Sequence, residues 1–366
     1  MSAARMRIQV VNSNLEFRAA PDQTLLDAAL DSSLNLPHSC KGGNCGACRA
    51  RLLRGEIHYP NGPPLGLSDA EAAEGMILLC QASARTDLSI ETFEMRMADA
   101  ATPKRLPCRI ERTLQLSHDV MGVFLQLPIA EAFTFEPGQY IDIILPGGRR
   151  RSFSIASPPH DSRPLELHVR RVAGGEFTDP LFRQNAERTL LTIEGPLGQF
   201  AYREGGESRG GQPPGGQARD SAAPPMLLIG GGTGIAPLIS ILRHVIENGI
   251  DRNMQVYWGV RSERDLYAQE RLEALAARAR MRYIPVLSEP TPKWLGRSGW
   301  VHEAAFKDIG ELDAHEVYAA GPPAMIAAVH SEYQGRGLSA SRLHVDSFDY
   351  APDTLERQRT SAASRS

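Results

Sequence analysis

The chain runs to 366 residues, 42% hydrophobic and 23% charged, a length that holds two or three domains with separate cores. Its formal net charge of −3 argues against a general affinity for nucleic acid or anionic membrane. The opening "MSAARMRIQVV" lacks the apolar stretch of a signal peptide, and the most apolar long window, "MLLIGGGTGIAPLISIL", is broken by glycines and a proline. The expected compartment is the reducing cytoplasm, where clustered cysteines point to metal or catalysis rather than disulfides.

In chain order, residues 5–97 form the first block. "MRIQVVNSNLEFRA" alternates as strand and turn, "TLLDAALDSSL" repeats apolar residues at helical spacing, and "DLSIETFEM" closes with a strand. Between them lie Cys40, Cys45 and Cys48 in "HSCKGGNCGACR", and Cys80 follows in "MILLCQAS". The spacing C-x4-C-x2-C with a distant fourth cysteine is the plant-type arrangement for a [2Fe–2S] cluster. A loop wrapped round a cluster bends sharply, and Gly42, Gly43 and Gly46 leave no Cβ in the way. A redox dithiol, or a zinc site on Cys45 and Cys48, is the plainer reading, but zinc sites pair two such units and no second one exists.

"ADAATPKRLP" is a linker by composition. Across residues 104–203, "CRIERTLQL", "VFLQLP", "YIDIILP", "SFSIAS", "LELHVRRV" and "TLLTIEG" are strand-like runs separated by turns, the pattern of an antiparallel barrel. Cys108 lies on the first run and reads as a buried core residue. Residues 204–225, "EGGESRGGQPPGGQARDSAAPP", read as a flexible, solvated loop. From 226 to 350, strands alternate with helices, so a parallel sheet covered by helices is expected. Residues 351–366 carry too little apolar content to fold.

Within that last block a strand runs into Gly230-Gly231-Gly232-Thr233-Gly234, and Pro237 opens a helix, the context a dinucleotide site requires. "YAAGPPAMIAAV" sets Gly321 and Pro322 at a second strand-to-helix turn. In the barrel, "RSFSIAS" puts Arg151 and Phe153 on one strand face and Ser152 and Ser154 on the other. A basic surface turn followed by an ordinary strand would also explain that run.

Together, and in this order, these motifs resemble the ferredoxin-fused members of the ferredoxin–NADP reductase superfamily over about Met6 to Tyr350. The resemblance implies a β-grasp ferredoxin domain with Cys40, Cys45, Cys48 and Cys80 as cluster ligands, an antiparallel β-barrel flavin domain, and a parallel-sheet Rossmann-like nicotinamide domain. It implies FAD held by Arg151, Ser152, Phe153 and Ser154, with Ser154 hydrogen-bonded to the flavin N5. Phe153 stands where the family has tyrosine, so stacking survives while a hydroxyl is lost. The strand bearing His168, Val169 and Arg170 would pass the isoalloxazine edge, and "GGEFT", with Gly174, Gly175 and Thr178, would hold the pyrophosphate. Gly231, Gly232, Thr233, Gly234 and Pro237, with Gly321 and Pro322, would hold the nicotinamide cofactor. Ala320 stands where many members have cysteine.

For the donor, the resemblance favours NADH over NADPH; Arg261 and Arg264 in "GVRSERDLY" could meet a 2′-phosphate, Glu263 and Asp265 would oppose it, and surface ion pairs explain all four equally well. Near the C-terminus, Phe348 or Tyr350 could cover the second flavin face, or simply pack a last strand. The implied activity passes electrons from NADH through FAD and the cluster to a partner protein. "RSFSIASPP", "AAGPPAM" and "DSFDYA" look most like reductases of CDP-6-deoxy-hexulose deoxygenation, which serve a pyridoxamine-phosphate dehydrase. Reductase components of aromatic-ring oxygenases share the architecture. A different class, a zinc- or ligand-binding module without turnover, is separated from these by a visible spectrum.

Overall fold

The computed structural model describes residues 5–13, 15–32, 34, 36–39, 41–44, 46–64, 66–92, 103–183, 186–204, 223–339 and 342–348. Cys40, Cys45 and Tyr350, nearly all of the 204–225 loop, and the 351–366 tail therefore lie outside the described residues.

Three sheets follow one another along the chain. The first is built from β1 (Met6–Val10), β2 (Leu15–Ala19), β3 (Arg49–Arg54), β5 (Met76–Leu78) and β7 (Leu88–Thr92), with β4 (Ile57–His58) and β6 (Ser83–Ala84) forming a small separate pair. Its order is β2-β1-β7-β3-β5, and β1 and β7 run parallel. Alternation buries Ile8 and Val10 of β1 against helix α1 (Leu25–Asp31). Thr24 starts that helix, its hydroxyl accepting from the Asp27 N–H at 3.1 Å. "LSDAEAAEG" becomes α2 (Asp69–Ala73), where Ser68 and Glu71 form a reciprocal cap just ahead of Cys80.

The second sheet is antiparallel throughout: β8 (Lys104–Gln115), β9 (Val120–Gln126), β10 (Tyr140–Ile144), β11 (Arg150–Ser154), β12 (Leu165–Arg170) and β13 (Leu190–Leu197), in the order β11-β10-β13-β8-β9-β12. A bridge between Ile155 and Leu167 joins its two ends, so the sheet curls into a barrel around Ile110, Val123, Ile141 and Ile193. Cys108 is in this core, and burial pushes its thiol up to about 12. The short helix α3 (Thr178–Arg183) sits between β12 and β13.

The third sheet is all parallel: β14 (Met226–Gly231), β15 (Met254–Val260), β16 (Met281–Leu287), β17 (Arg297–Ser298), β18 (Glu316–Gly321) and β19 (Leu343–Ser347), in the order β17-β16-β15-β14-β18-β19. Helices α4 (Ile235–Glu247) and α5 (Gln269–Ala276) share one core with the sheet, and α6 (Val301–Ile309) and α7 (Pro323–Gln334) share another, so both faces are covered. The strand order reverses at β14, and open parallel sheets bind ligands at the carboxyl ends flanking such a point. One detail differs from the sequence reading. Helix α4 begins at Ile235, so Pro237 lies inside its first turn rather than at its start. Proline is tolerated there because the first N–H groups of a helix have no intrahelical partner.

Beneath this sheet lies a buried polar knot. The Glu316 carboxylate accepts from Arg252 at 2.7 Å, from the Tyr318 hydroxyl at 2.8 Å, and faces His344 Nε2 at 3.1 Å. Burial alone would raise the Glu316 pKa, but the bonds from His344, Arg252 and Tyr318 more than offset it and hold it below the usual range. A depressed folded pKa contributes stability above the unfolded value, lost as pH falls through the folded one. Glu316→Gln is therefore expected to cost on the order of 3 kcal/mol at pH 7, because Arg252 is left buried without its counter-charge. Urea unfolding should also show that the variant loses less stability than the parent between pH 7 and pH 4; equal midpoints at pH 7 would contradict the account.

Candidate active site

A single cleft of about 1960 Å³ lies where the three sheets meet. That exceeds the roughly 300–1,000 Å³ of an ordinary small-molecule site, so it has room for more than one ligand. Cys80 and Gln81 line it from the first sheet, Arg151, Phe153 and Ser154 from the barrel, and Gly231, Gly232 and Thr233 from the parallel sheet, while Phe348 closes it from the C-terminal side.

At the first wall, Cys80 is buried, and Cys48 is buried behind it. Gly43 and Gly46 have φ of +77° and +69°, and a Cβ on Gly43 would come within 2.7 Å of the Gln81 side chain. The loop thus turns through the left-handed region against the segment carrying Cys80, a tight fold with two buried thiols that fits a thiolate-ligated cluster.

On the second wall, Ser154 is buried and its hydroxyl finds no hydrogen-bond partner among the described residues. Ser347 has a second such hydroxyl on the same cleft. A buried, unsatisfied hydroxyl at the edge of a large cavity fits a ligand that would supply its partner, and the barrel wall fits FAD. The ring of Phe153 is tilted against Phe177 at 5.4 Å. Ser152 instead donates to Asp142 at 2.6 Å, so its hydroxyl is committed inside the protein. His168 is held by Glu166 at 3.0 Å and Tyr267 at 3.1 Å, and Glu166 takes both arms of Arg271 from α5. Burial would raise the Glu166 pKa, but His168 and Arg271 more than offset it and hold it low. His168 thus ties the barrel to the nicotinamide sheet. Val169 points into the barrel core, Arg170 pairs with Asp119 at 3.4 Å, and Gly174 is a left-handed turn residue with φ of +71°. The Thr178 hydroxyl accepts from the Val172 N–H at 3.0 Å, and a Cβ on Gly175 would collide with that hydroxyl.

On the third wall, Trp258 donates to the Gly232 carbonyl at 2.8 Å, and Gly232 has φ of +56°. Gly234 packs directly on the Ala320 carbonyl, and a Cβ on Gly231 would meet Met325 and Pro322 at 2.7 and 2.8 Å. The glycine loop and the Gly321-Pro322 turn are therefore one packed unit; Gly234, Pro237 and Gly321 stand behind the wall, and Pro322 is on it. Asp265 accepts the Ser262 N–H and hydroxyl at 2.9 and 2.8 Å, and Glu263 accepts from Thr291. Arg261 and Arg264 are exposed on the cleft.

Sequence reasoning missed the contacts that join the walls. Lys41 donates to the fully buried Asp142 at 2.7 Å, and Ser39 donates to Asp346 at 2.7 Å. The signal for Asp142 was present: "YIDIILP" carries one carboxylate among four apolar residues. Burial would raise its pKa, but Lys41, Ser152 and Arg150 more than offset that and hold it below the usual range.

Three family models match: the 2Fe-2S iron-sulfur cluster binding domain over residues 8–85, the oxidoreductase FAD-binding domain over 107–202, and the oxidoreductase NAD-binding domain over 228–331. Protein RfbI of Salmonella typhimurium is 34% identical, over 93% of this chain and 96% of its own. The CDP-6-deoxy-L-threo-D-glycero-4-hexulose-3-dehydrase reductase of Yersinia pestis is 32% identical, over 94% and 98%. Among solved structures, the Amycolatopsis cytochrome P450 reductase GcoB aligns with a TM-score of 0.72 at 33% identity, over 94% of this chain and 98% of its own.

The packing of Gly234 generates a direct test. Gly234→Ala forces a methyl into the Ala320 backbone and must part the two turns. It should lower stability by about 1–3 kcal/mol and raise the KM for the nicotinamide cofactor. A variant with unchanged melting temperature and KM would show that the two turns are not a packed unit.

Proposed function

The chain belongs to the ferredoxin-fused branch of the ferredoxin–NADP reductase superfamily, and from that premise we propose an NADH-dependent iron–sulfur flavoprotein reductase that delivers single electrons to a partner enzyme. The observation that carries this reading is the shared cleft, with Cys80, Ser154, Gly232 and Phe348 on its walls. When bound, FAD and the [2Fe–2S] cluster convert two-electron hydride chemistry into one-electron delivery. We assign the domains as 5–97, 104–203 and 226–350, with 204–225 a loop and 351–366 a tail.

Cys40, Cys45, Cys48 and Cys80 would hold the cluster. Arg151 and the Gly174–Thr178 turn would hold the flavin pyrophosphate, and Ser154 would direct its unsatisfied hydroxyl to the flavin. The backbone of His168–Arg170 would flank the isoalloxazine, and Phe348, packed on the core of the nicotinamide sheet, would cover its other face. Gly231–Gly234 and the Gly321-Pro322 turn would receive NADH. Asp265, a largely buried carboxylate just past the second strand, supports NADH, since an acid at that place suits a ribose hydroxyl and repels a 2′-phosphate.

The acceptor follows the relatives. Likeness to the 3-dehydrase reductase favours a pyridoxamine-phosphate dehydrase acting on a CDP-6-deoxy-hexulose. Likeness to GcoB favours an oxygenase as the second reading. Assaying electron delivery to each acceptor separates the two.

Two variants test the assignments. Cys45→Ser should abolish iron–sulfur absorbance while flavin content and NADH–ferricyanide activity persist; loss of flavin and all activity together would contradict separable centres. Ser154→Ala should keep flavin bound but slow its reduction by NADH about a hundredfold, the 2–4 kcal/mol that one positioned donor is worth as charge develops. Stopped-flow measurement of an unchanged hydride rate would leave Ser154 as a packing residue.

A further inference from the structure

We propose that Lys41 is a positioning residue: through its ion pair with Asp142 it holds the ferredoxin domain docked on the flavin barrel, and so sets how fast electrons cross between flavin and cluster. The proposal rests on the reductase reading above.

Lys41 follows directly on Cys40 and belongs to the first sheet's block, whereas Asp142 is in the middle of β10. Asp142 has no exposed surface, and its carboxylate is satisfied by Lys41 at 2.7 Å, Ser152 at 2.6 Å and Arg150 at 3.5 Å. An exposed ion pair contributes little, but a fully buried carboxylate that loses a partner is left as an uncompensated charge. Undocking would break the Lys41 bond and leave Asp142 with Ser152 and Arg150 alone, so the pair favours the docked arrangement.

Lys41 is held at both ends. Its backbone has φ of +55°, sparsely populated for a long side chain, and its carbonyl accepts from Gln81, the neighbour of Cys80, at 2.9 Å. The surrounding contacts agree. The Gln199 N–H donates to the His38 carbonyl at 3.0 Å, and Tyr140 and Leu197 of the barrel are packed into the first sheet's own core.

The docking point is also placed for the chemistry. Asp142 is paired with Ser152, and Tyr140 with Ser154. Ser152 and Ser154 share a strand face about 7 Å apart, so the loop carrying the first cluster cysteines is anchored one register step from the hydroxyl assigned to the flavin.

The experiment uses the full-length holoenzyme and compares Lys41→Gln, Lys41→Arg and Asp142→Asn with the parent. Flavin and iron contents of the parent test the reductase reading itself. Stopped-flow absorbance then follows flavin reduction by NADH and the subsequent bleaching of the cluster, and X-ray scattering gives the radius of gyration. Lys41→Gln and Asp142→Asn should lower the ratio of cluster to flavin reduction rates about tenfold or more, as the docked population falls, and enlarge the radius of gyration. Lys41→Arg should restore both. If Lys41→Gln fails to retain its cluster, Asp142→Asn, remote in sequence from the cysteines, decides. An unchanged rate ratio, or a slowed one with an unchanged radius, overturns the proposal.

Discussion

Asp142 is a carboxylate with no exposed surface, and the arrangement of the molecule depends on how it is satisfied. Its partners come from two sources: Ser152 and Arg150 from the neighbouring barrel strand, and Lys41 from the ferredoxin block. Arg150 extends the network to Glu194 at 2.8 Å, and Arg105 joins Glu194 at 2.8 Å. Burying a charge is tolerable only when such a network is complete. Each member therefore constrains where the others stand, and the ferredoxin block contributes two that cross the boundary, Lys41 on Asp142 and Asp31 at 3.8 Å from Arg150.

The nicotinamide sheet is joined to the barrel by the same physics. Glu166 sits between His168 on its own strand and Arg271 from α5, and its depressed pKa reports a charge satisfied from both sides. Ser240 of α4 donates to the Ser157 carbonyl at 2.8 Å in a fully buried contact. Ser39 reaches Asp346 beside Phe348. The cleft is bounded by three sheets joined across their boundaries by buried and partly buried polar bonds, the kind of support that keeps a multi-cofactor site preorganised.

Much of this was legible from local pattern. The strands of the barrel and of the parallel sheet stand where alternation and apolar runs put them, because side-chain period reflects which faces are buried. The glycine loop was readable because it stands between a strand-like apolar run and a run with helical spacing, the context a dinucleotide turn requires. What pattern could not supply was pairing over distance. Lys41 and Asp142 are 101 residues apart, and Ser39 and Asp346 are 307 apart; nothing local says which acid a lysine meets. The same gap explains His168. Alternation placed it on a strand, but its partner Tyr267 belongs to another sheet's connection.

The departures from the family pattern are also accounted for by packing. Ala320, where many members carry cysteine, is fully buried in the core that α4 shares with the sheet, and its carbonyl is the surface on which Gly234 rests. It is not on the cleft wall, which at that turn includes Pro322 and Met325. Position 320 in this chain therefore serves the fit between the two nucleotide turns, through backbone rather than side chain. Phe153 is similar. Its ring is already engaged with Phe177 at the rim of the barrel core, where a tyrosine hydroxyl would need a polar partner of its own. At the end of β11 the buried hydroxyl without a protein partner among the described residues is that of Ser154.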